Sequence, residues 1–330
     1  MIITLTLGLI FVIAAFISAY SAIKLSTYAD KISRETKLGG MMAGTILLAV
    51  ATSLPELTVS ISASIIGNVN IAVGNGFGSI LFNFFALFGL DLIFRKKQLF
   101  LHGAKHHVST GYLALLLSII TMFGLFTNDS FSIFHIGLAS LLIVAAYVIG
   151  LIFISVIQKK EENNEIADQT TTSVKGISKT LIKFFLFSIV ILVSGSALSL
   201  SGDRLAAETG LSATFIGSIL VAMASSIPDT LSVFTALKLA NINMAVGTIL
   251  GSNLFNILVI AISDPFYQNG SLWKQANDQL IILSVIGFLL TIVTMLVTKR
   301  NVTRNPITYM IPSLTVVISY LGVVVYIVLG

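Results

Sequence analysis

A stretch of 48 residues occurs twice in this chain. Shifted by 173 positions, Gly44–Asp91 overlies Gly217–Asp264 without a gap, and 19 of the 48 positions are identical. The identities include residues that break or polarise a helix: Ser53/Ser226, Pro55/Pro228, Asn68/Asn241, Gly74/Gly247, Gly78/Gly251, Ser79/Ser252, Asn83/Asn256 and Asp91/Asp264. Thr52/Ser225 and Glu56/Asp229 keep their chemistry while changing size. Two unrelated apolar segments would agree mainly at Leu, Ile, Val or Ala. Agreement at polar and breaker positions marks a duplicated unit.

The surroundings of the repeat set its solvent. Hydrophobic residues make up 56% of the 330 positions and charged residues 10%, with a mean hydropathy of +0.99. Soluble domains carry about 25% charged residues, so too few polar side chains are present to coat a water-facing surface. That excludes disorder, a disulfide scaffold and almost any soluble enzyme. A hydrocarbon layer about 30 Å thick takes roughly 20 apolar residues per helix. Ten apolar runs of that kind can be read, at 2–23, 38–65, 70–93, 109–127, 131–157, 180–201, 211–237, 243–264, 279–298 and 307–329. They are called spans 1 to 10 below. No short alternating segments suggest a β-barrel. The expected fold is all-α, a polytopic membrane protein whose partner is the lipid bilayer. No cysteine is present, which excludes disulfides and thiolate metal sites. The net charge of +5 reads as loop bias of a membrane protein rather than a nucleic-acid surface.

The basic residues assign the sides. Of the 19 Lys and Arg, 17 fall in or beside the loops after spans 1, 3, 5, 7 and 9, leaving only Arg204 and Lys274 on the other face. Cytoplasmic loops carry the Lys/Arg excess. A multi-pass cell-membrane protein with both termini extracytoplasmic is therefore expected. Gln158–Lys179 is the one long polar stretch and sits mid-chain, which divides the protein into 1–157, a cytoplasmic linker 158–179, and 180–330. The repeated motif occupies 44–91 of the first part and 217–264 of the second. Five spans per half is an odd number, so the second half crosses in the opposite sense. Such inverted repeats are common in secondary transporters, whose ion sites lie near the midplane on interrupted helices.

The chemistry concentrates where the repeat is polar. Pro55 and Pro228 interrupt spans 2 and 7, freeing carbonyls near Ala51, Thr52, Ala224 and Ser225. Broken backbone at membrane depth survives only inside protein or along a wet cavity. Glu56 and Asp229 follow each proline at mid-span. A charge at the bilayer centre costs about 2.5–3.5 kcal/mol on the lenient scale, and no basic residue lies near enough in the spans to offset it. Thr52 and Ser53 share the helical face of Glu56, and Ser225 and Ser226 that of Asp229. Ser79 and Asn83, like Ser252 and Asn256, are spaced i, i+4 and can add neutral oxygens. Such a cluster of hard oxygens suits Ca²⁺ and offers nothing soft for copper or zinc. Asp91 and Asp264 lie near span ends and read as interfacial or helix-end contacts. His102, His106, His107 and His135 read as interfacial, without metal spacing.

With these residues in view, the two segments resemble the α-repeats of the cation/calcium exchanger superfamily, of the sodium/calcium exchanger type. The family pattern G-T-S-L-P-E, then G-N-x-x-G-S-N-x-x-[ND], is matched by Ala51–Glu56 with Gly74–Asn83, and by Ala224–Asp229 with Gly247–Asn256. The resemblance implies cation coordination by Glu56, Asp229, Thr52, Ser53, Ser225, Ser226, Ser79, Asn83, Ser252 and Asn256. It adds the carbonyls of Ala49 and Ala222, and makes spans 1 and 6 the sliding gate. The departures are alanine for the motif glycine in both halves, Asp229 for glutamate, neutral Asn256, and Thr248 and Ile80 at consensus asparagines. They touch ion preference more than fold.

The function expected is a secondary antiporter exchanging Ca²⁺ for Na⁺ by alternating access, with these ions as substrates, no cofactor, no enzyme activity and no protein or nucleic-acid partner. Mg²⁺ and Mn²⁺ stay open as substrates. A proton-coupled exchanger of the same fold is the alternative, since two carboxylates in one dry site favour holding a proton between them. A passive channel or an intramembrane protease using Asp91/Asp264 or a serine is a different class. The protease has no Ser/His pair within the spans to support it.

Overall fold

A computed structural model describes residues 2–35, 43–102, 107–127, 132–133, 135–165, 177–210, 212–300 and 305–329. It is a bundle of long helices, nine of which are long and apolar enough to cross a membrane, or ten when the bent pair of span 2 is counted as one. Span 1 is Ile2–Glu35, span 3 Val69–Ile93, span 4 Val108–Phe126 and span 5 Leu138–Glu165. Span 6 is Ile177–Thr209, span 8 Ile242–Ser263, span 9 Asp278–Thr298 and span 10 Pro306–Leu329.

Several boundaries differ from the sequence reading, each for a local reason. Span 1 continues twelve residues past its expected end at 23, so Lys24 and Lys31 ride on helix rather than loop. No Gly or Pro occurs between Gly8 and Gly39 to stop it. At 34 residues it is about 51 Å long, well beyond the hydrocarbon layer. The polar stretch 158–179 is helical at both ends, where span 5 runs on to Glu165 and span 6 starts at Ile177; residues 166–176 lie outside the described residues. Lys37, Lys105, Lys175, Arg304 and His106 also lie outside them. Before span 5, Ser132–Ile133 pairs antiparallel with Ile136–Gly137, so that helix begins seven residues later than the expected 131.

Spans 3 and 8 form the centre. Within their most apolar stretches, 94% of span 8 and 78% of span 3 is buried, against 17% of span 1. Spans 1 and 6 lie side by side on the outside, where the Phe187 ring meets Tyr20 and Tyr28. Their outward faces carry Leu5, Leu9, Phe16, Phe185 and Val193, all exposed. In a bilayer such a face meets acyl chains. The packing crosses between halves symmetrically. Span 1 packs on span 7 and span 6 on span 2; span 3 packs on span 10 and span 8 on span 5.

The repeat also holds at the level of backbone form. Ala43–Leu48 and Ile216–Val221 are both π-helical, and these two segments are again 173 residues apart. Each leads directly into the motif of spans 2 and 7. Wide turns of this kind cluster at functional sites. The opposite central helix closes on each of them. At Gly78 an added Cβ would sit 2.1 Å from the Ser218 carbonyl oxygen, an approach only glycine permits.

The proline breaks are unequal. In the first half the helix ends at Thr52 and restarts at Leu54, with Pro55 in its first turn and a 45° bend between the pieces. Ser53 at the joint has φ −92° and ψ 10°. In the second half the helix Ala222–Lys238 runs through Pro228 without interruption. The expectation of two broken helices therefore holds for span 2 and not for span 7, where the helix tolerates the missing donor and steric push of one proline.

Candidate cation site

The residues singled out in spans 2, 3, 7 and 8 converge at the centre of the bundle. Thr52, Ser53, Glu56, Ser79, Asn83, Ser225, Ser226, Asp229, Ser252 and Asn256 are all fully buried, as are Ala49 and Ala222. The bend at Ser53 sets Glu56 in the first turn of the second piece of span 2. Span 7 presents Asp229 from the other side, and the two carboxylates lie within electrostatic reach of each other.

Each acid is met by the opposite half. The Ser226 hydroxyl donates to Glu56 Oε1 at 2.9 Å. The Asn83 amide donates to Asp229 Oδ2 at 3.1 Å and to Asn253 Oδ1 at 3.1 Å. Thr52 and Ser252 flank the Asp229 carboxylate, and Ser225 flanks Glu56. The hydroxyls also lean on the helix backbone. Thr52 donates to Leu48 O at 2.8 Å and approaches Ala49 O at 3.3 Å, while Ser225 approaches Ala222 O at 3.2 Å. These contacts are the local price of placing Ser and Thr inside a helix: the side chain competes for the carbonyls four residues back.

Much of the bonding capacity is left open. Buried oxygens without a protein partner include Glu56 Oε2, Asp229 Oδ1, Asn83 Oδ1, Asn256 Oδ1 and the hydroxyls of Ser53, Ser79 and Ser252. A buried polar atom left unpaired costs about 1–3 kcal/mol, more when charged. Among the described residues no Lys, Arg or His pairs with either acid, and no group of three or more His, Cys, Asp or Glu converges anywhere. Two carboxylates and a shell of neutral oxygens in one buried cluster can hold a cation. For Ser53, Ser79 and Asn256 there is burial and open bonding capacity but no bond to either carboxylate.

Sequence reasoning passed over three contributors. The Asn75 amide donates to the Glu56 carbonyl and to Ser60 Oγ, both at 3.1 Å, and its Oδ1 accepts from Ser225 at 3.3 Å. Ser60 in turn donates to Ala72 O at 2.8 Å. Asn253 accepts from Asn83. Asn75 and Asn253 stand where the halves disagree, opposite Thr248 and Ile80. The mismatch itself was the available signal, because a polar residue retained at a buried position needs a partner.

Asp91 and Asp264 serve elsewhere. Asp91 accepts from Leu99 N, Tyr309 Oη and Ser313 Oγ, and Asp264 from Leu272 N, Gly137 N, Ser140 Oγ and Ser271 Oγ. They are helix-end contacts, as their position in the sequence suggests. His107 departs from the interfacial reading: it is buried, with Nε2 3.1 Å from the Asn243 carbonyl, because the start of span 4 packs beneath that of span 8.

Comparison with known proteins bears on the whole chain. The family described as "Sodium/calcium exchanger protein" matches residues 6–161 and again 179–329, once per half. The chain belongs to the sodium/calcium exchanger family. It is thereby a multi-pass membrane protein with a transporter's fold, a cation antiporter rather than an enzyme. Among relatives of this exchanger, inner membrane protein YrbG of Escherichia coli is 23% identical over 84% of this chain and 86% of its own length. Sodium/calcium exchanger MaX1 of Methanosarcina acetivorans is 27% identical over 80% of this chain and 82% of its own. The solved structure of the sodium-calcium exchanger NCX_Mj, soaked with Na⁺ and Sr²⁺, superposes with a TM-score of 0.66 at 19% identity, covering 96% of this chain and 99% of that one. The fold is shared across the full length.

Proposed function

We propose that this exchanger moves Ca²⁺ against Na⁺, with Glu56 and Asp229 as the charged ligands of a site both ions share in turn. The observation that carries the reading is the set of buried oxygens without protein partners around two carboxylates that no basic residue among the described residues neutralises. Ca²⁺ takes 6–8 oxygen ligands, and the cluster of Thr52, Ser53, Ser225, Ser226, Ser79, Ser252, Asn83 and Asn256, with the carbonyls of Ala49 and Ala222, holds more than enough candidates to supply them. The name of the relative MaX1, a sodium/calcium exchanger, supports Na⁺ as the counter-ion. The 17-to-2 division of Lys and Arg supports termini outside a cell membrane, with 1–157 and 180–330 as the two inverted halves.

Exchange follows from mutual exclusion. Two negative charges balance one Ca²⁺ or two Na⁺, so the loaded carrier can cross in either form, while the empty site keeps an uncompensated charge in the membrane. Spans 1 and 6 are the moving parts. The inner face of span 6 is small where it crosses the broken helix of span 2: a Cβ added at Gly195 would sit 2.4 Å from Pro55 Cα. A coupling proton instead of Na⁺ is the second reading, favoured by the proximity of the two acids. The test is competition. In purified protein at fixed pH, Na⁺ is expected to displace bound Ca²⁺ in a titration, and Glu56→Gln to bind neither. Ca²⁺ binding indifferent to Na⁺ but released by acid overturns the Na⁺ reading.

A further inference from the structure

The 173-residue offset extends upstream of the motif: Asp30-Lys31 in span 1 corresponds to Asp203-Arg204 in span 6. The asparagine cap that opens each central helix is duplicated too. Asn241 opens span 8, its Oδ1 accepting from Met244 N at 3.0 Å, and Asn68 opens span 3, accepting from Ile71 N at 3.1 Å.

At this point the two halves part. Asn241 Nδ2 also donates to Asp30 Oδ1 at 3.3 Å, tying span 1 to the start of span 8. Two more bonds fasten the same end: Ser26 Oγ to Ser232 O at 3.0 Å and Ser232 Oγ to Ala22 O at 3.3 Å. In the other half Asp203 has no hydrogen-bond or ion-pair partner among the described residues, and no bond joins Asn68 to span 6. Ser26 recurs as Ser199, but Val59 stands where Ser232 would be. Valine carries no hydroxyl, so the bond from Ser232 Oγ can have no twin.

The geometry points to Asp30 and Asp203 as alternating latches of the gate, each closing on the asparagine cap of the opposite half's central helix. The inference rests on the antiport reading above. In an inverted repeat the two access states are related by exchanging the roles of the halves. A bond made by one half and unmade by its twin is then a bond that the transition swaps. In this structure the Asp30–Asn241 latch is engaged, which shuts the side that the Lys/Arg bias marks as cytoplasmic. When spans 1 and 6 slide, Asp30 leaves Asn241 and Asp203 reaches Asn68. The Ser232 bond to Ala22 has no counterpart in the first half, so it favours the state with Asp30 engaged. Asp30 and Asp203 are positioning residues; neither touches the ions.

The test uses side-specific kinetics and proximity in proteoliposomes of the full chain. A bond present in only one state biases that state, and losing it is expected to shift apparent affinities about fivefold. Asp30→Ala is expected to weaken the apparent Ca²⁺ affinity on the extracellular side and strengthen it on the cytoplasmic side. Asp203→Ala is expected to do the reverse. Equal shifts on both sides, or none, overturn the proposal. Because the chain has no cysteine, the pairs Asp30→Cys with Asn241→Cys and Asp203→Cys with Asn68→Cys can be oxidised on a clean background. Each disulfide is expected to form and to stop exchange until reduced. With all four cysteines present, each molecule is expected to hold one bridge or the other. Failure of the second pair to cross-link, or both bridges in one molecule, overturns the latch. If wild-type vesicles show no exchange, the antiport reading fails instead; wild-type exchange with unresponsive latches isolates the failure here.

Discussion

Asp91 and Asp264 are held by equivalent atoms in the two halves, whereas Glu56 and Asp229 are not. Asp91 accepts from Leu99 N at 3.3 Å and Ser313 Oγ at 2.9 Å; Asp264 accepts from Leu272 N and Ser140 Oγ, both at 2.7 Å. Leu99 and Leu272 are 173 residues apart, as are Ser140 and Ser313. Each of these aspartates therefore binds span 10 or span 5 of the opposite half to its own central helix, with its carboxylate satisfied by the protein. At the centre the symmetry lapses. Ser226 bonds Glu56, but the hydroxyl of its twin Ser53 bonds nothing; Asn83 bonds Asp229, but the side chain of its twin Asn256 is unpaired. The scaffold keeps the symmetry and closes its hydrogen bonds. The centre departs from symmetry and leaves its oxygens open, which is where a ligand from outside the chain is needed.

The sharpest way to break this contrast is to neutralise each kind of acid. Glu56→Gln and Asp229→Asn keep the shape and remove one of two charges. Ion exchange is expected to fall by about two orders of magnitude or more, as breaking a buried charge pair does, while membrane insertion and thermal unfolding stay near wild type. Asp91→Asn and Asp264→Asn should show the opposite profile. An amide places an N–H against donors such as Leu99 N or Leu272 N, so each variant is expected to lose about 1–3 kcal/mol of stability with ion affinity retained. Loss of Ca²⁺ affinity in Asp91→Asn, without unfolding, would move the ion site away from the centre.

How far these differences could be read in advance depends on the range over which they act. The span number, both acids and the helix-end role of Asp91 and Asp264 are written in local pattern and in the repeat. The bend at Ser53 but not at Ser226 is invisible there, since both carry the same Ser-x-Pro context. Asn75 and Asn253 escaped for a related reason. Their partners Ser225 and Asn83 lie 150 and 170 residues away, so nothing in the local pattern shows what each asparagine meets. The basic residues after Ile23 read as a loop, although nothing in Lys24–Glu35 stops a helix.

A smaller change would sharpen the same comparison. Asp229→Glu lengthens the side chain by one methylene, roughly 1–1.5 Å, and brings a carboxylate within reach of Ser53 as Glu56 is of Ser226. The preference for Ca²⁺ over Mg²⁺ or Mn²⁺ is expected to shift about two- to fivefold, measured as competition in divalent uptake. An unchanged preference would mean that Asp229 does not set ion size.

The most direct test is divalent uptake into Na⁺-loaded proteoliposomes at a clamped potential, under an imposed Na⁺ or pH gradient and with K⁺ present or absent. With two carboxylates as the only charged side chains at the site among the described residues, more than two Na⁺ per Ca²⁺ makes the cycle electrogenic, and a charge crossing the field is worth about 2.3 kcal/mol per 100 mV. The account predicts Ca²⁺ uptake that follows the Na⁺ gradient, responds to potential only where more than two Na⁺ exchange per Ca²⁺, ignores K⁺ because Asn256 is neutral, and vanishes in Glu56→Gln. Uptake that ignores the Na⁺ gradient and follows the pH gradient would contradict it.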